Sequence, residues 1–407
     1  MPVPTSGGRD RGLARVVFVA MMAFWLLYPV LEQGHYAQDA IPLVAAGELA
    51  HTHPDAIYLR PGAGLFDTKP EFFATSCRYY DTPTDCEHFV VAFVSPPAAL
   101  PVVVPLSKLG DNAFPLVRVL GALALVGSMA TLWRRLTRAI PTAAWPLAIG
   151  AVLLTPLMTA PIGLGQSSPL LFLAAVVPIT AADRRGWRPI AFGVLMGLIA
   201  ALKAFPVALL VVPLLDRRWR PVAWPIVVFG LLSLVGLTIA PFHLWHDFLA
   251  SRSGLSTESY HNPYNSSLEA ALGQIGLGSS VIVGLARVFL ALPILVVARR
   301  VRDVDVRWAC SWAVMLVLFP QVWGHYSFVL VAAAGAVLLW RPDRERWLWA
   351  LPAVCALTVP IGVLGGSGHG SPFLQLACNL TALALVIGIA SRPGTPEPAL
   401  ASRPSMV

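Results

Sequence analysis

Charge is what this sequence has least of. Asp, Glu, Lys and Arg together supply 12% of its 407 residues, about half the ~25% usual in soluble domains. That excludes a conventional soluble enzyme. With aromatics at 10%, it also excludes a disordered chain, which needs high charge and few aromatics. Lysine is nearly missing: Lys69, Lys108 and Lys203 stand against 26 arginines. Together with abundant Ala and Pro, this is the residue usage of a high-GC bacterial genome. No Walker A sequence and no Gly-rich nucleotide loop occurs, which excludes a nucleotide-driven pump and a donor held by a Rossmann-type fold. Cysteine is scarce too, at five. Cys310, Cys355 and Cys378 fall inside apolar runs, as small core residues do. Cys77 and Cys86 instead lie in the most polar stretch and are expected to form a disulfide if that stretch is outside the cytoplasm. Zinc fits less well, because His88 is the only imidazole nearby.

What the chain has in excess is apolar sequence. Hydrophobic residues make up 57% of it, and the mean hydropathy is +0.70. A spanning helix needs ~17–25 mostly apolar residues. Candidate segments are 16–31, 93–109, 112–133, 141–158, 167–182, 189–202, 204–215, 221–241, 278–298, 308–320, 326–340, 347–365 and 372–390. The fold class is an all-α polytopic membrane protein with one transmembrane domain over residues 1–390. A Pro-rich polar tail, 391–407, reads as disordered. Arg9, Arg11 and Arg15 put the N-terminus in the cytoplasm by the positive-inside rule. Segment 16–31 lacks a small-x-small cleavage site, so it reads as an uncleaved first helix.

Residues 32–92 then form a large non-cytoplasmic loop. Its nine acids and three bases give a net charge of −6, while the remainder of the chain carries +14. Arginine clusters at 134–138, 184–188, 217–220, 299–307 and 341–346 mark cytoplasmic loops. The basic pI of 9.6 therefore reports membrane orientation and not nucleic-acid binding. This threading places 159–166, 242–277, 321–325 and 366–371 outside and makes 189–215 a hairpin with Lys203 at its outer tip. It gives about twelve crossings and a cytoplasmic C-terminus, provided 93–109 does not cross fully. A rival threading lets 93–109 cross and reads 189–215 as one long helix, at the cost of two Arg clusters outside.

Several residues could carry chemistry. Asp39 stands directly after the first helix, before an amphipathic stretch from Ala40 to Ala50. A carboxylate at the membrane surface can act as a general base toward a hydroxyl, although most loop acids are structural. Trp323, His325 and Tyr326 form a second cluster. An interfacial aromatic belt accounts for the indole and the phenol but not for the histidine, which needs a partner or a ligand. Lys203 lies inside 27 residues otherwise free of charge. Such a cation must pair, snorkel to lipid phosphate or bind a phosphate ligand. Arg287, in the middle of 278–298, invites the same argument. The stretch holding His243, His246, Tyr260, His261 and Asn265 is rich in groups suited to sugar hydroxyls. His243 and His246 lack a convincing third ligand for a metal.

These elements resemble, in order and spacing, the polyprenol-phosphate-sugar-dependent membrane glycosyltransferases of the GT-C superfamily, and most closely glycosyltransferase family 87. The resemblance runs from about residue 30 to 340. It rests on Asp39 leading into Ala45-Ala46-Gly47, on Ser95-Pro96-Pro97 and on Gly165-Gln166-Ser167. It also rests on Lys203 with Pro206, on Asn265-Ser266-Ser267 and on Trp323-Gly324-His325-Tyr326. It implies a bundle of about twelve transmembrane helices with a large non-cytoplasmic first loop, in a plasma-membrane protein. It further implies inverting transfer, on the non-cytoplasmic face, of a sugar from a polyprenyl-phosphate donor to a glycolipid or polysaccharide acceptor. By this likeness Asp39 is the general base and His325 assists at the donor phosphate or the acceptor. It also makes Lys203 the partner of the donor phosphate, if 189–215 is a hairpin, and Gln166 and Asn265 positioning residues on the donor and sugar sides; the residues themselves add Arg287 for the donor, and Tyr260, His261, Trp323 and Tyr326 for the sugar and acceptor side. No cofactor is implied beyond the lipid-linked donor; a divalent metal stays open. Mannose ranks ahead of arabinofuranose. A lipid-linked-sugar flippase or transporter is the competing class, but it should show internal repeats or paired broken helices, and no clear repeat is present.

Overall fold

The computed structural model describes residues 39–139, 187–203, 205–259, 267–301 and 304–319, together with helical residues 22–29, Asn265 and a few isolated positions. Segments 141–158, 326–340 and 347–365, the tail 391–407, and all but isolated positions of 159–182 and 366–390 lie outside the described residues. Regular structure among the described residues is helical, apart from a single bridge at Asn265. We number the helices α1 (Ile41–Thr52), α2 (Pro70–Cys77), α3 (Pro83–Phe89), α4 (Leu100–Ser107), α5 (Ala113–Ala139) and α6 (Trp187–Leu202). They continue as α7 (Val211–Leu215), α8 (Trp219–Ile239), α9 (His243–Ser259), α10 (Leu268–Gln274), α11 (Ser280–Arg300) and α12 (Val304–Leu318). Short 3₁₀ turns stand at Pro54–Ala56, Pro97–Ala99, Gly110–Asn112 and Phe205–Leu210.

Three stretches among the described residues are long and apolar enough to cross a bilayer: Gly110–Ser128, Trp219–Ile239 and Ser280–Arg300. Large apolar side chains stand out from their surfaces, Phe289 at 78% and Leu234 at 62% exposure. Lipid rewards that arrangement and water does not. Together with the shorter apolar helices Pro97–Ser107 and Ile190–Leu202, they make the described part a polytopic membrane protein.

Glycines set how closely these helices approach. A Cβ on Gly193 would stand 2.3 Å from Trp224 Cβ, and one on Gly197 would stand 2.6 Å from Val228 Cβ. The Gly-xxx-Gly spacing thus lets the α6 backbone lie directly on α8, the means by which membrane helices associate without a hydrophobic drive. Gly47 does the same for α1 on α4, where a Cβ would meet Val103 O at 2.3 Å. This gives Ala45-Ala46-Gly47 a structural reason: all three are buried.

Several sequence expectations change in detail. The stretch 40–50 is not amphipathic in place; α1 is buried on nearly every side, from Ile41 to Ala50. Segment 93–109 is helical only over Pro97–Ser107, ~16 Å at 1.5 Å per residue, roughly half the ~30 Å hydrocarbon core. Helix α5 runs on to Ala139, past the expected end at 133. The stretch 242–277 contains two helices, α9 and α10. Segment 189–215 is not one long helix, because α6 stops at Leu202 and 3₁₀ geometry resumes at Phe205.

Candidate active site

The break after α6 has a visible cause. In a continuous helix Leu202 O would accept from the N–H of residue 206, but Pro206 has none. The last helical bond runs from Lys203 N to Ile199 O at 2.6 Å. The orphaned Leu202 carbonyl accepts instead from Ser95 Oγ, at 2.6 Å. A side chain from a distant element thereby caps the helix end, as an unsatisfied terminal carbonyl requires. Ser95 is itself buried, and its carbonyl accepts from the Tyr58 hydroxyl at 2.8 Å. Ser95, Pro97 and Lys203 are therefore parts of one construction.

The floor beneath it is aromatic. The Tyr58 ring lies 5.7 Å from Phe93 and 5.8 Å from Phe248, centroid to centroid. All three belong to one buried cluster with Ala45, Ala46, Leu49 and Leu100, against which Leu202 also packs. Each fully buried large side chain contributes ~1.5–3 kcal/mol. The 32–92 loop is thus folded onto the helices. Pro97 is held close to α8, since a Cβ on Gly236 would approach Pro97 O at 2.8 Å.

Asp39 stands just ahead of α1, one residue before its buried N-cap Ala40. The partial positive charge of a helix N-terminus favours a carboxylate there. Burial works against the charged form of the Lys203 amine, and the Asp39 carboxylate, within electrostatic reach of it, works in favour of that form. The start of α1 and the broken end of α6 thus bring opposite charges together from remote parts of the chain.

Tyr80 is the third group at this place. Burial pushes its phenol above the ordinary range, and the neighbouring Asp39 and Asp85 carboxylates add to the effect. It therefore stays protonated, a donor, at every ordinary pH. Cys77 and Cys86, expected to pair, are disulfide-bonded with Cα atoms 5.2 Å apart, and they enclose Tyr80. Next to it, Arg78 and the Tyr79 hydroxyl both donate to Glu48 of α1. Burial, then the Glu48 hydrogen bond, raises the Tyr79 phenol as well.

Two other sugar-site or donor candidates have structural partners. Arg287 Nη2 donates to Glu269 at 2.6 Å, and both residues are largely buried. Asn265 is buried, and its side-chain oxygen accepts from Ser267 N at 3.1 Å. Ser267 in turn caps α10 through Ala270 N. His243 pairs with Asp55 at 2.6 Å. Gln166, Tyr260, His261, Trp323, His325 and Tyr326 lie outside the described residues. Among the described residues no group of three His, Cys, Asp or Glu side chains is placed to hold a metal ion.

Sequence reasoning missed Tyr80, Tyr58, Glu48 and Glu269. Only Tyr80 carried a signal, its place between two cysteines beside an acidic run. Glu269 lies in the tract already noted for Asn265 but drew no attention.

Helices long and apolar enough to cross a bilayer, with a carboxylate and a lysine from the ends of two shorter helices near one another at a helix break, define a polytopic membrane protein with a buried polar site. The model of glycosyltransferase family 87 matches residues 93–322, more than half of the chain, and the chain belongs to that family. It is an integral membrane glycosyltransferase of the GT-C type. The matched region holds Ser95, Lys203, Asn265 and Arg287; Asp39 precedes it and His325 follows it. No curated protein and no solved structure matches the chain.

Proposed function

We propose that this glycosyltransferase moves mannose from a polyprenyl-phosphate donor to a lipid or glycan acceptor on the non-cytoplasmic face, with inversion, and that Asp39 is its general base. The observation that carries the reading is that Asp39 lies within electrostatic reach of Lys203. An acceptor hydroxyl gives its proton to the Asp39 carboxylate while its oxygen attacks the anomeric carbon. The bond from that carbon to the phosphate oxygen breaks on the opposite face, and polyprenyl phosphate leaves. Lys203 carries the charge that collects on the departing phosphate, the kind of stabilisation that supplies much of a transfer barrier. His325, Gln166, Trp323 and Tyr326 complete the donor and acceptor surfaces in this reading, with Tyr260, His261 and Asn265 on the sugar side. Arg287 is the weaker donor candidate, because Glu269 already holds it.

The test is transfer by the purified protein from radiolabelled polyprenyl-phosphate-mannose and polyprenyl-phosphate-arabinofuranose, with membrane lipid extract as acceptor. Labelled product from the mannose donor is expected. Product from the arabinofuranose donor alone would move the protein to the arabinofuranosyltransferase reading. Absence of product from both would favour a flippase or transporter of lipid-linked sugars.

A further inference from the structure

Arg78, Tyr79 and Tyr80 are consecutive, and each engages the first helix or the residues at its start. Arg78 and Tyr79 donate to the two carboxylate oxygens of Glu48. Tyr80 packs in one buried cluster with Ile41, Cys86 and Val90, with Cys77, Tyr79 and Phe114 against it. Ile41 and Glu48 are seven residues apart in α1, two helical turns and one face. The segment therefore runs along α1 like a strap, anchored at Glu48 and ending over the N-terminus that presents Asp39. The Tyr79 ring, 5.3 Å from Phe114, braces it against α5. The Cys77–Cys86 disulfide closes the segment on itself, which limits the positions Tyr80 can take. Apart from Phe114 of α5, none of these residues lies in the part of the chain that matches the family.

From this geometry we infer that Tyr80 is a positioning residue for transfer. Its hydroxyl fixes the Asp39 carboxylate, and the Glu48-anchored, disulfide-closed strap fixes Tyr80. The inference rests on the reading of Asp39 as the base. A protonated phenol that donates to one carboxylate oxygen leaves the other for the acceptor proton. It also favours the ionised carboxylate, as does Lys203. Among the described residues, the charged and titratable groups facing this place are Asp39, Lys203 and Asp85, with Glu48, Arg78, Tyr79 and Asp111 at the strap's anchor.

The experiment compares wild type, Tyr80→Phe, Glu48→Gln and Asp39→Asn as purified full-length proteins, reading kcat and KM for polyprenyl-phosphate-mannose and the pH profile of kcat/KM. Thermal unfolding in detergent is followed alongside. Loss of a hydrogen bond to a charged group predicts that Tyr80→Phe lowers kcat by about tenfold or more, with KM for the donor within about twofold. The acid limb of its profile moves to higher pH, because the carboxylate has lost a donor that favoured its ionised form. Glu48→Gln moves the limb the same way by less. Wild-type kcat and an unmoved acid limb in Tyr80→Phe would overturn the inference. If Tyr80→Phe does not fold, an unmoved limb in Glu48→Gln overturns it instead. Substantial activity in Asp39→Asn overturns the base reading and not the strap alone, so the two failures are distinguishable.

Discussion

Lys203 and Arg287 are both cations set in apolar sequence, and electrostatics leaves each the same three choices: pair, snorkel to the headgroups or bind a phosphate. Their surroundings differ. Arg287 lies within an intact helix and is answered by Glu269, one short helix away in sequence. Lys203 stands where a helix has been broken, beside Asp39 from the far end of the chain. The Arg287–Glu269 pair is local, made inside a helical hairpin, and it leaves the buried Arg287 Nε without a hydrogen-bond partner among the described residues. A cation held at a broken helix end by Ser95, Tyr58 and a buried aromatic floor is an arrangement whose cost makes sense if it serves a ligand. Backbone breaks and buried charges are retained at functional sites more readily than elsewhere.

The largest effect on transfer in this comparison is expected from Lys203→Ala. It should lower kcat/KM for the lipid-phosphate donor by ~10–100-fold, the range for losing a hydrogen bond between charged groups, with partial recovery in Lys203→Arg. Steady-state kinetics against donor concentration reads this directly, and an unchanged donor KM and kcat would erase the distinction between the two cations. Arg287→Ala should behave in the opposite manner. Stranding Glu269 without its partner costs about 3–5 kcal/mol of stability, seen as a lower unfolding temperature. The fraction that remains folded should use donor nearly as well as wild type. Replacing both members, Arg287→Met with Glu269→Leu, should recover much of that stability. Ser95→Ala should have the smallest effect, leaving the Leu202 carbonyl unsatisfied at roughly 1–3 kcal/mol. Because that carbonyl immediately precedes Lys203, kcat should fall severalfold while the protein stays folded.

The sequence made some of this legible. Lys203 was conspicuous because nothing else in its apolar run was charged. Asp39 could be found from its place after the first helix and its likeness to a family pattern. The cysteine pair stood out against a chain that otherwise keeps cysteine in apolar runs. What could not be read was which remote groups would meet. Ser95 caps Leu202 across 107 residues of sequence, and no local pattern encodes such a bond. No local pattern told what Gly193, Gly197, Gly47 and Gly236 are for; a neighbouring backbone or side chain gives each its reason. Glu269 was overlooked because a single acid near a polar tract gives no hint that it answers an arginine one helix later. The amphipathic reading of 40–50 failed for a related reason: a few polar side chains suggested a wet face where α1 is in fact covered by α4 and the folded loop. Among the described residues there are three helices of spanning length and two shorter apolar ones; five of the other candidate segments lie wholly or almost wholly outside those residues. Short Pro- and Gly-rich segments do not reveal from composition whether they cross.

The central claim is that the carboxylate at the start of α1 performs the chemistry that Lys203 supports from the broken end of α6. The most direct measurement is transfer of radiolabelled mannose from polyprenyl phosphate by purified Asp39→Asn, at donor saturation and beside wild type prepared identically. Removing a general base predicts a fall in turnover of about 10²–10⁴-fold, read on the fraction of protein that stays folded. Turnover near that of wild type would contradict the account.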